Sequence, residues 1–183
     1  MSDSLELEIL RAIEKNGFIS KLAIDTNRSE SEIKSFISDK IHKIEKEMSN
    51  AIIVYTDGAS RSNPGHAGIG VHFIFPDGKT KNIKQYIGKK TNNEAEYLAV
   101  ITALQTADKQ NWKNIHIFAD SQLIVKQING EYKVKNANLI PLYNKAKSLI
   151  CTLSNFKISY IPRTKNKTAD ALANQAIDEK NSL

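Results

Sequence analysis

Four carboxylates, Asp57, Glu96, Asp120 and Asp170, stand where an acid is poorly placed unless it holds a cation. Asp57 closes the apolar run Ala51-Ile52-Ile53-Val54-Tyr55 and precedes the turn former Gly58, and Asp120 closes Ile115-His116-Ile117-Phe118-Ala119 ahead of a helical pattern. Both runs, rich in β-branched residues, predict buried strands. Acids at the carboxyl ends of two strands occupy the edge where open α/β sheets place ligands. The other two ride on predicted helices: Glu96 in Glu94–Leu104, and Asp170 in Thr168–Ala176, an alanine-rich stretch whose small side chains allow close approach to a sheet. Glu94 lies two positions from Glu96 and cannot share its face. Converging carboxylates of this kind point to a metal site.

Each acid also has an ordinary reading. Asp57-Gly58 has the composition of a hairpin turn, and Asp120 that of a helix N-cap. Glu96 or Asp170 alone would suit a solvated helix face. The combination, with the words around it, carries the information.

Those words are Tyr55-Thr56-Asp57-Gly58-Ala59-Ser60, Asn63-Pro64-Gly65-His66-Ala67-Gly68-Ile69-Gly70, Thr91-Asn92-Asn93-Glu94-Ala95-Glu96, Ala119-Asp120-Ser121-Gln122 and Asn166-Lys167-Thr168-Ala169-Asp170-Ala171-Leu172-Ala173-Asn174. In this order they resemble the type 1 ribonuclease H family over roughly residues 50 to 180. The resemblance implies an α/β fold with a five-stranded mixed sheet and helices on both faces. It implies an endonuclease that hydrolyses the RNA strand of RNA–DNA hybrids. Asp57, Glu96, Asp120 and Asp170 match the family's metal-binding acids. Hydrolysis of a phosphodiester by two Mg2+ ions, with Mn2+ as a substitute, fits hard oxygen ligands. Asp57 is then expected to serve both ions, Glu96 and Asp120 one, and Asp170 the other.

Discrimination between RNA and DNA rests on the 2′-hydroxyl. The loop from Ser60 to Asn63 resembles the family's RNA-strand contacts, Asn92 and Asn93 its minor-groove amides, and Thr91 with Asn136 a pair holding a DNA-strand phosphate. Asn92 or Asn93 would also serve as a helix cap. Two departures stand out. The loop before the last aspartate, Ile161-Pro162-Arg163-Thr164-Lys165-Asn166, carries no histidine, and Arg163 matches an arginine-bearing branch whose permanent charge suits a phosphate contact. The segment Asn129–Asn138 is too short for the basic helical protrusion of the best-known bacterial pattern, which leaves Lys126, Lys133 and Lys135 for DNA-strand contact.

The remaining patterns support that fold. Ile69–Phe75, a Pro76-Asp77-Gly78 turn and Lys81–Ile87 predict antiparallel strands. Then follow a helix through Gln105, the Asp120 strand, helices near Leu123–Ile128 and Leu139–Leu149, the strand Phe156–Ile161 and a last helix. Hairpins first and crossovers afterwards mean a mixed sheet.

Charge divides the chain. Its net charge is +6, with 26 Lys+Arg against 20 Asp+Glu. Residues 1–50 hold 8 basic and 10 acidic side chains, so 18 basic and 10 acidic remain for residues 51–183. The basic excess suits a polyanionic substrate, with affinity that falls as salt rises.

Residues 1–48 are expected to form a separate three-helix, all-α module and residues 49–183 the catalytic domain. The first helix would carry Leu5, Leu7, Ile9, Leu10 and Ile13 and stop at Asn16-Gly17. Ser20 opens the second, and Ser29-Glu30-Ser31-Glu32 opens a third through Ile33, Phe36, Ile37, Ile41 and Ile44. The segment faintly resembles a helix-turn-helix, but its acidity weighs toward protein contact or dimerisation over nucleic-acid reading.

The single cysteine, Cys151, excludes an internal disulfide. The polar start Met1-Ser2-Asp3 and the lack of a long apolar run lead us to expect no leader, no membrane span and a cytoplasmic protein. Trp112, in the loop after a helix, could stack on a base, but its place away from the acids favours a packing role. Two other readings stay open: a related-fold nuclease acting on another polynucleotide, and a nonenzymatic nucleic-acid-binding module.

Overall fold

The computed structural model describes residues 3–15 and 18–181, and the chain divides into two compact units, residues 1–50 and 51–183. In the first, α1 (Asp3–Lys15), α2 (Phe18–Thr26) and α3 (Glu30–Ser49) pack around Ile19, Ala23, Ile33 and Ile37, with Leu10, Ile13, Leu22 and Ile41 at the margin. Asn27, in the left-handed region at φ 52°, turns the chain between α2 and α3. Ser29 opens α3 through a capping box: its Oγ accepts from Glu32 N–H at 3.3 Å, and the Glu32 carboxylate accepts from Ser29 N–H at 2.8 Å. Phe36 of α3, by contrast, lies exposed. The expected stop at Asn16-Gly17 lies outside the described residues.

The second unit holds a five-stranded sheet in the order β3-β2-β1-β4-β5: β1 (Ile52–Ser60), β2 (Gly65–Ile74), β3 (Thr80–Lys90), β4 (Asn114–Ala119) and β5 (Asn155–Tyr160). The pairs β1–β2 and β2–β3 are antiparallel, whereas β1–β4 and β4–β5 are parallel. The sheet is therefore mixed, as expected. The β2–β3 turn uses Gly78 at φ 80°, with Gly78 N–H donating to Phe75 O at 2.9 Å. Two crossovers complete the sheet: α4 (Asn92–Lys109) links β3 to β4, and α5 (Gln122–Ile128) with α6 (Ile140–Ile150) links β4 to β5.

One face of the sheet, through Val54, Val71, Phe73 and Ile117, packs on Tyr97, Val100, Ile101 and Leu104 of α4 and on Ile124, Ile128 and Leu139. Burying side chains of this size contributes about 1.5–3 kcal/mol each, so this layer anchors α4 firmly. The buried Tyr97 hydroxyl is satisfied by Gln127 Oε1 at 2.7 Å. Trp112 packs edge-on against Phe73 and Phe75, a core role. The other face carries α7 (Lys167–Asn181), which follows a one-turn 3-10 helix at Arg163–Lys165 and lies against β1, β2 and β3. Its Ala169, Ala173 and Ala176 are buried there. Gly70 makes this approach possible: a Cβ on it would sit 2.1 Å from Ala169 O and 2.7 Å from Ala173 N. Among the described residues, no helix is long and apolar enough to cross a membrane.

Candidate metal centre

Asp57 does not end its strand as the sequence suggested. β1 runs on to Ser60, with Asp57 opposite Gly70 and Gly58 opposite Ile69, so Gly58 is strand and not turn. The reason is steric. A Cβ on Gly58 would lie 2.2 Å from both Ala95 C and Glu96 N, so only glycine lets the first turns of α4 rest on β1 at this point. That contact brings Glu96 beside Asp57. Asp120, one residue past β4, arrives from the neighbouring parallel strand, on which Ala119 pairs with Thr56.

Carboxylate oxygens of Asp57, Glu96 and Asp120 lie within 4.8 Å of one another. Asp57 and Glu96 are 4% and 8% exposed, which is far below what a carboxylate normally accepts. Burial, then the charges of Asp120 and Asp170 and a hydrogen bond shared with Asp120, push the Asp57 carboxyl up from 3.8 to about 7, against the opposing pull of Arg163. Burial likewise holds Glu96 well above the usual range, reinforced by Asp57 and Asp120 and opposed by the Gly58 N–H and Arg163. Oδ2 of Asp57 is buried without a hydrogen-bond partner. A crowded, largely desolvated set of hard oxygens with an orphaned lone pair fits a divalent cation, whose two positive charges offset most of the trio's negative charge.

Asp170 stands outside this trio. Its Oδ1 accepts from Arg163 Nε at 3.1 Å and from Arg163 Nη2, although it is near enough to raise the Asp57 carboxyl. Asn166, given no role from sequence, ties the site together. Its Nδ2 donates to Thr56 O at 2.9 Å and to Asp120 Oδ1 at 3.2 Å, from a side chain only 1% exposed. Its place at the head of the Asn166-Lys167-Thr168-Ala169-Asp170 word was the signal that could have found it.

The ordinary readings of Asp57 and Asp120 as turn and cap do not hold. Ser121, not Asp120, is the N-cap residue of α5. Thr91, not Asn92 or Asn93, caps α4: its Oγ1 accepts from Glu94 N–H at 3.3 Å, and the Glu94 carboxylate accepts from Thr91 N–H at 2.9 Å. Glu94, held low chiefly by its hydrogen bond with the Thr91 side chain, is thereby consumed in a capping box.

The expected substrate residues fall at the end of β1 and in the loop after it, at the start of α4 and in the segment after α5. Ser60 Oγ donates to Lys90 O at 2.9 Å and pins the end of β1 to the end of β3. Asn63 Oδ1 accepts from Asn92 N–H at 3.2 Å, joining the loop after β1 to the start of α4. Asn136 turns its own segment, its Oδ1 accepting from Asn138 N–H at 2.9 Å, and Lys135 is exposed. The histidines of this unit are engaged elsewhere: His66 with Tyr86, His72 with Asn82 and His116 with Ser159.

A mixed sheet with an α4-borne glutamate set against one aspartate on β1 and another just past the end of β4 defines a nuclease-like class of fold. The family profile described as "Reverse transcriptase-like" matches residues 55–176. Ribonuclease HI of Halobacterium salinarum is 36% identical over 137 residues, which span 74% of this chain and 69% of that protein. A Mycobacterium tuberculosis protein described as bifunctional is 39% identical over 129 residues, 69% of this chain but 35% of its own length, so the chain spans about a third of that relative. Among solved structures, LC11-RNase H1, in complex with an RNA/DNA hybrid, is 40% identical with a TM-score of 0.66, covering 70% of this chain and 98% of its own. The chain belongs to the type 1 ribonuclease H family.

Proposed function

We propose that this protein is a divalent-cation-dependent endonuclease that hydrolyses the RNA strand of RNA–DNA hybrids. The observation that carries the reading is the cluster of buried Asp57 and Glu96 with half-buried Asp120 and the unpartnered Asp57 Oδ2, in a chain 40% identical to an enzyme solved with such a hybrid. Two Mg2+ ions, with Mn2+ as substitute, would activate water and stabilise the leaving oxygen. Asp57 would serve both ions, Glu96 and Asp120 one, and Asp170 the other. Asn166 orients the Asp120 carboxylate by its 3.2 Å hydrogen bond, and its 2.9 Å bond to Thr56 O ties that carboxylate to β1 beside Asp57. Burial raises both the Asp57 and the Glu96 carboxyls, so a cation held there would favour their ionised forms.

Recognition falls to the surrounding polar groups. Ser60 and Asn63 fix the loop whose backbone would read the 2′-hydroxyl, and Asn92 and Asn93 present amides to the minor groove. Thr91, Lys135 and Asn136 would hold the DNA strand, and Arg163 a phosphate near the cut. A basic unit of 18 Lys+Arg against 10 Asp+Glu supplies salt-dependent attraction. We assign residues 1–48 to a small helical module that makes a protein or nucleic-acid contact, and residues 49–183 to catalysis in a cytoplasmic protein. Incubating end-labelled hybrid, duplex DNA, duplex RNA and single strands with Mg2+, Mn2+ or chelator tests the reading. Cleavage confined to the RNA of the hybrid and abolished by chelator is expected, whereas an uncut hybrid would end it.

A further inference from the structure

Three of the four acids crowd together, while the fourth is held by a cation the chain supplies itself. Arg163 donates from Nε, at 3.1 Å, and from Nη2 to the same oxygen, Oδ1 of Asp170. Both lone pairs of Oδ1 are thus spent on the guanidinium, and a cation taking the carboxylate through Oδ2 would still meet the repulsion of the Arg163 charge beside it. The pair sits at the rim of the pocket, with the Arg163 side chain 74% and the Asp170 side chain 28% exposed. At such exposure an ion pair contributes little net stability and opens readily.

The backbone need not move when it does. Lys165 N–H donates to Pro162 O at 2.8 Å, Asn166 N–H to Arg163 O at 2.9 Å and Asp170 N–H to Asn166 O at 3.0 Å, which fixes both partners' main chains. Only a side chain has to swing. Charge balance points the same way: the guanidinium offsets one of the carboxylates, whereas two divalent ions would offset all four and leave it for an anionic phosphate.

We infer that Arg163 is the internal counter-ion of the cation-free pocket: it occupies Asp170 until a divalent ion takes that carboxylate, and the exchange releases the guanidinium toward a substrate phosphate. This rests on the proposed two-ion nuclease reading. It makes Arg163 a competitor of the metal before it is a partner of the substrate.

Calorimetric titration of Mn2+ into the full chain, without nucleic acid, tests it in wild type, Arg163→Gln, Arg163→Lys and Asp170→Asn, and in Asp170→Asn combined with Arg163→Gln. Arg163→Gln should bind the weaker Mn2+ roughly two- to fivefold tighter, the scale of a partly exposed ion pair removed from competition. Arg163→Lys should fall between, and Arg163→Gln should change nothing further once Asp170 is asparagine. Unchanged or weakened Mn2+ binding in Arg163→Gln would overturn the inference. Thermal melting separates it from a structural role: losing a counter-ion in Arg163→Gln lowers Tm only in the cation-free protein, whereas losing a residue that merely braces the fold lowers Tm equally with and without Mn2+. A wild type that cuts hybrid but shows no Mn2+ effect sinks the counter-ion alone. One that shows the Mn2+ effect but cuts no hybrid sinks the nuclease reading alone.

Discussion

Replacing Asp57 by asparagine should make the cation-free protein more stable while destroying its activity. In the folded chain the Asp57 carboxyl is raised from 3.8 to about 7, first by burial and then by Asp120 and Asp170. Below about pH 4 the carboxyl is protonated in both folded and unfolded chains, and it has no effect on stability. Between 3.8 and about 7 the folded chain keeps a proton that the unfolded chain has lost, so stability falls as pH rises through this window and levels off above it. The full penalty is on the order of 4 kcal/mol. Asp57→Asn removes it, so the variant's advantage over wild type should grow from under about 1 kcal/mol at pH 4 to about 4 kcal/mol at pH 8. In a domain of this size that is roughly 10 °C in Tm.

Thermal melting of both proteins in chelator across that pH range measures the difference directly. Saturating Mg2+ should erase or reverse it, because the cation offsets the buried charge in wild type and finds a poorer site in the variant. An Asp57→Asn protein no more stable than wild type at pH 8, or an advantage that does not vary with pH, would refute the claim that this carboxylate is buried beside like charges.

Other perturbations follow from particular contacts. Gly58→Ala places a Cβ 2.2 Å from the Ala95 and Glu96 backbone, so α4 must lift off β1; a melt should show a loss of about 3 kcal/mol or more, and Mn2+ titration a weakened site. Asn166→Ala removes the donor to Thr56 O and Asp120 Oδ1, which should lower stability by about 1–3 kcal/mol and reduce kcat with KM little changed, as steady-state kinetics on hybrid would report. Glu94→Gln should lose only part of the α4 capping box, about 1 kcal/mol, and still cleave, whereas Glu96→Gln should lose turnover by orders of magnitude. Removing residues 1–50, a separate compact unit, should leave a folded domain that still cuts hybrid in the labelled-strand assay.

What the sequence made legible was the part governed by local pattern and chemistry. The β-branched runs before Asp57 and Asp120, the Pro76-Asp77-Gly78 turn and the alternation of strands and helices give the mixed sheet, and Ser29 through Glu32 opens α3 by a capping box. Acid type and placement pointed to the cluster. What escaped was set by packing between distant elements. Gly58 looks like a turn former in isolation, and only the descent of α4 onto β1 reveals that it is strand. Asn166 reaches across 110 residues to Thr56 O, a contact that no spacing announces. Asp170 appears from its motif as an equal of the other acids, yet Arg163, seven residues away, holds it outside the trio. Asn92 and Asn93 look like caps, but the residue before them has the extended backbone, with φ −75° and ψ 160°, that a cap requires.

Where a divalent ion binds decides whether the three carboxylates form a metal centre. Crystals soaked in Mn2+ should show an anomalous peak among the oxygens of Asp57, Glu96 and Asp120, within about 2.0–2.6 Å of each ligating oxygen. A soaked crystal with the three carboxylates in place and no manganese between them, at concentrations that support cleavage of hybrid, would contradict it.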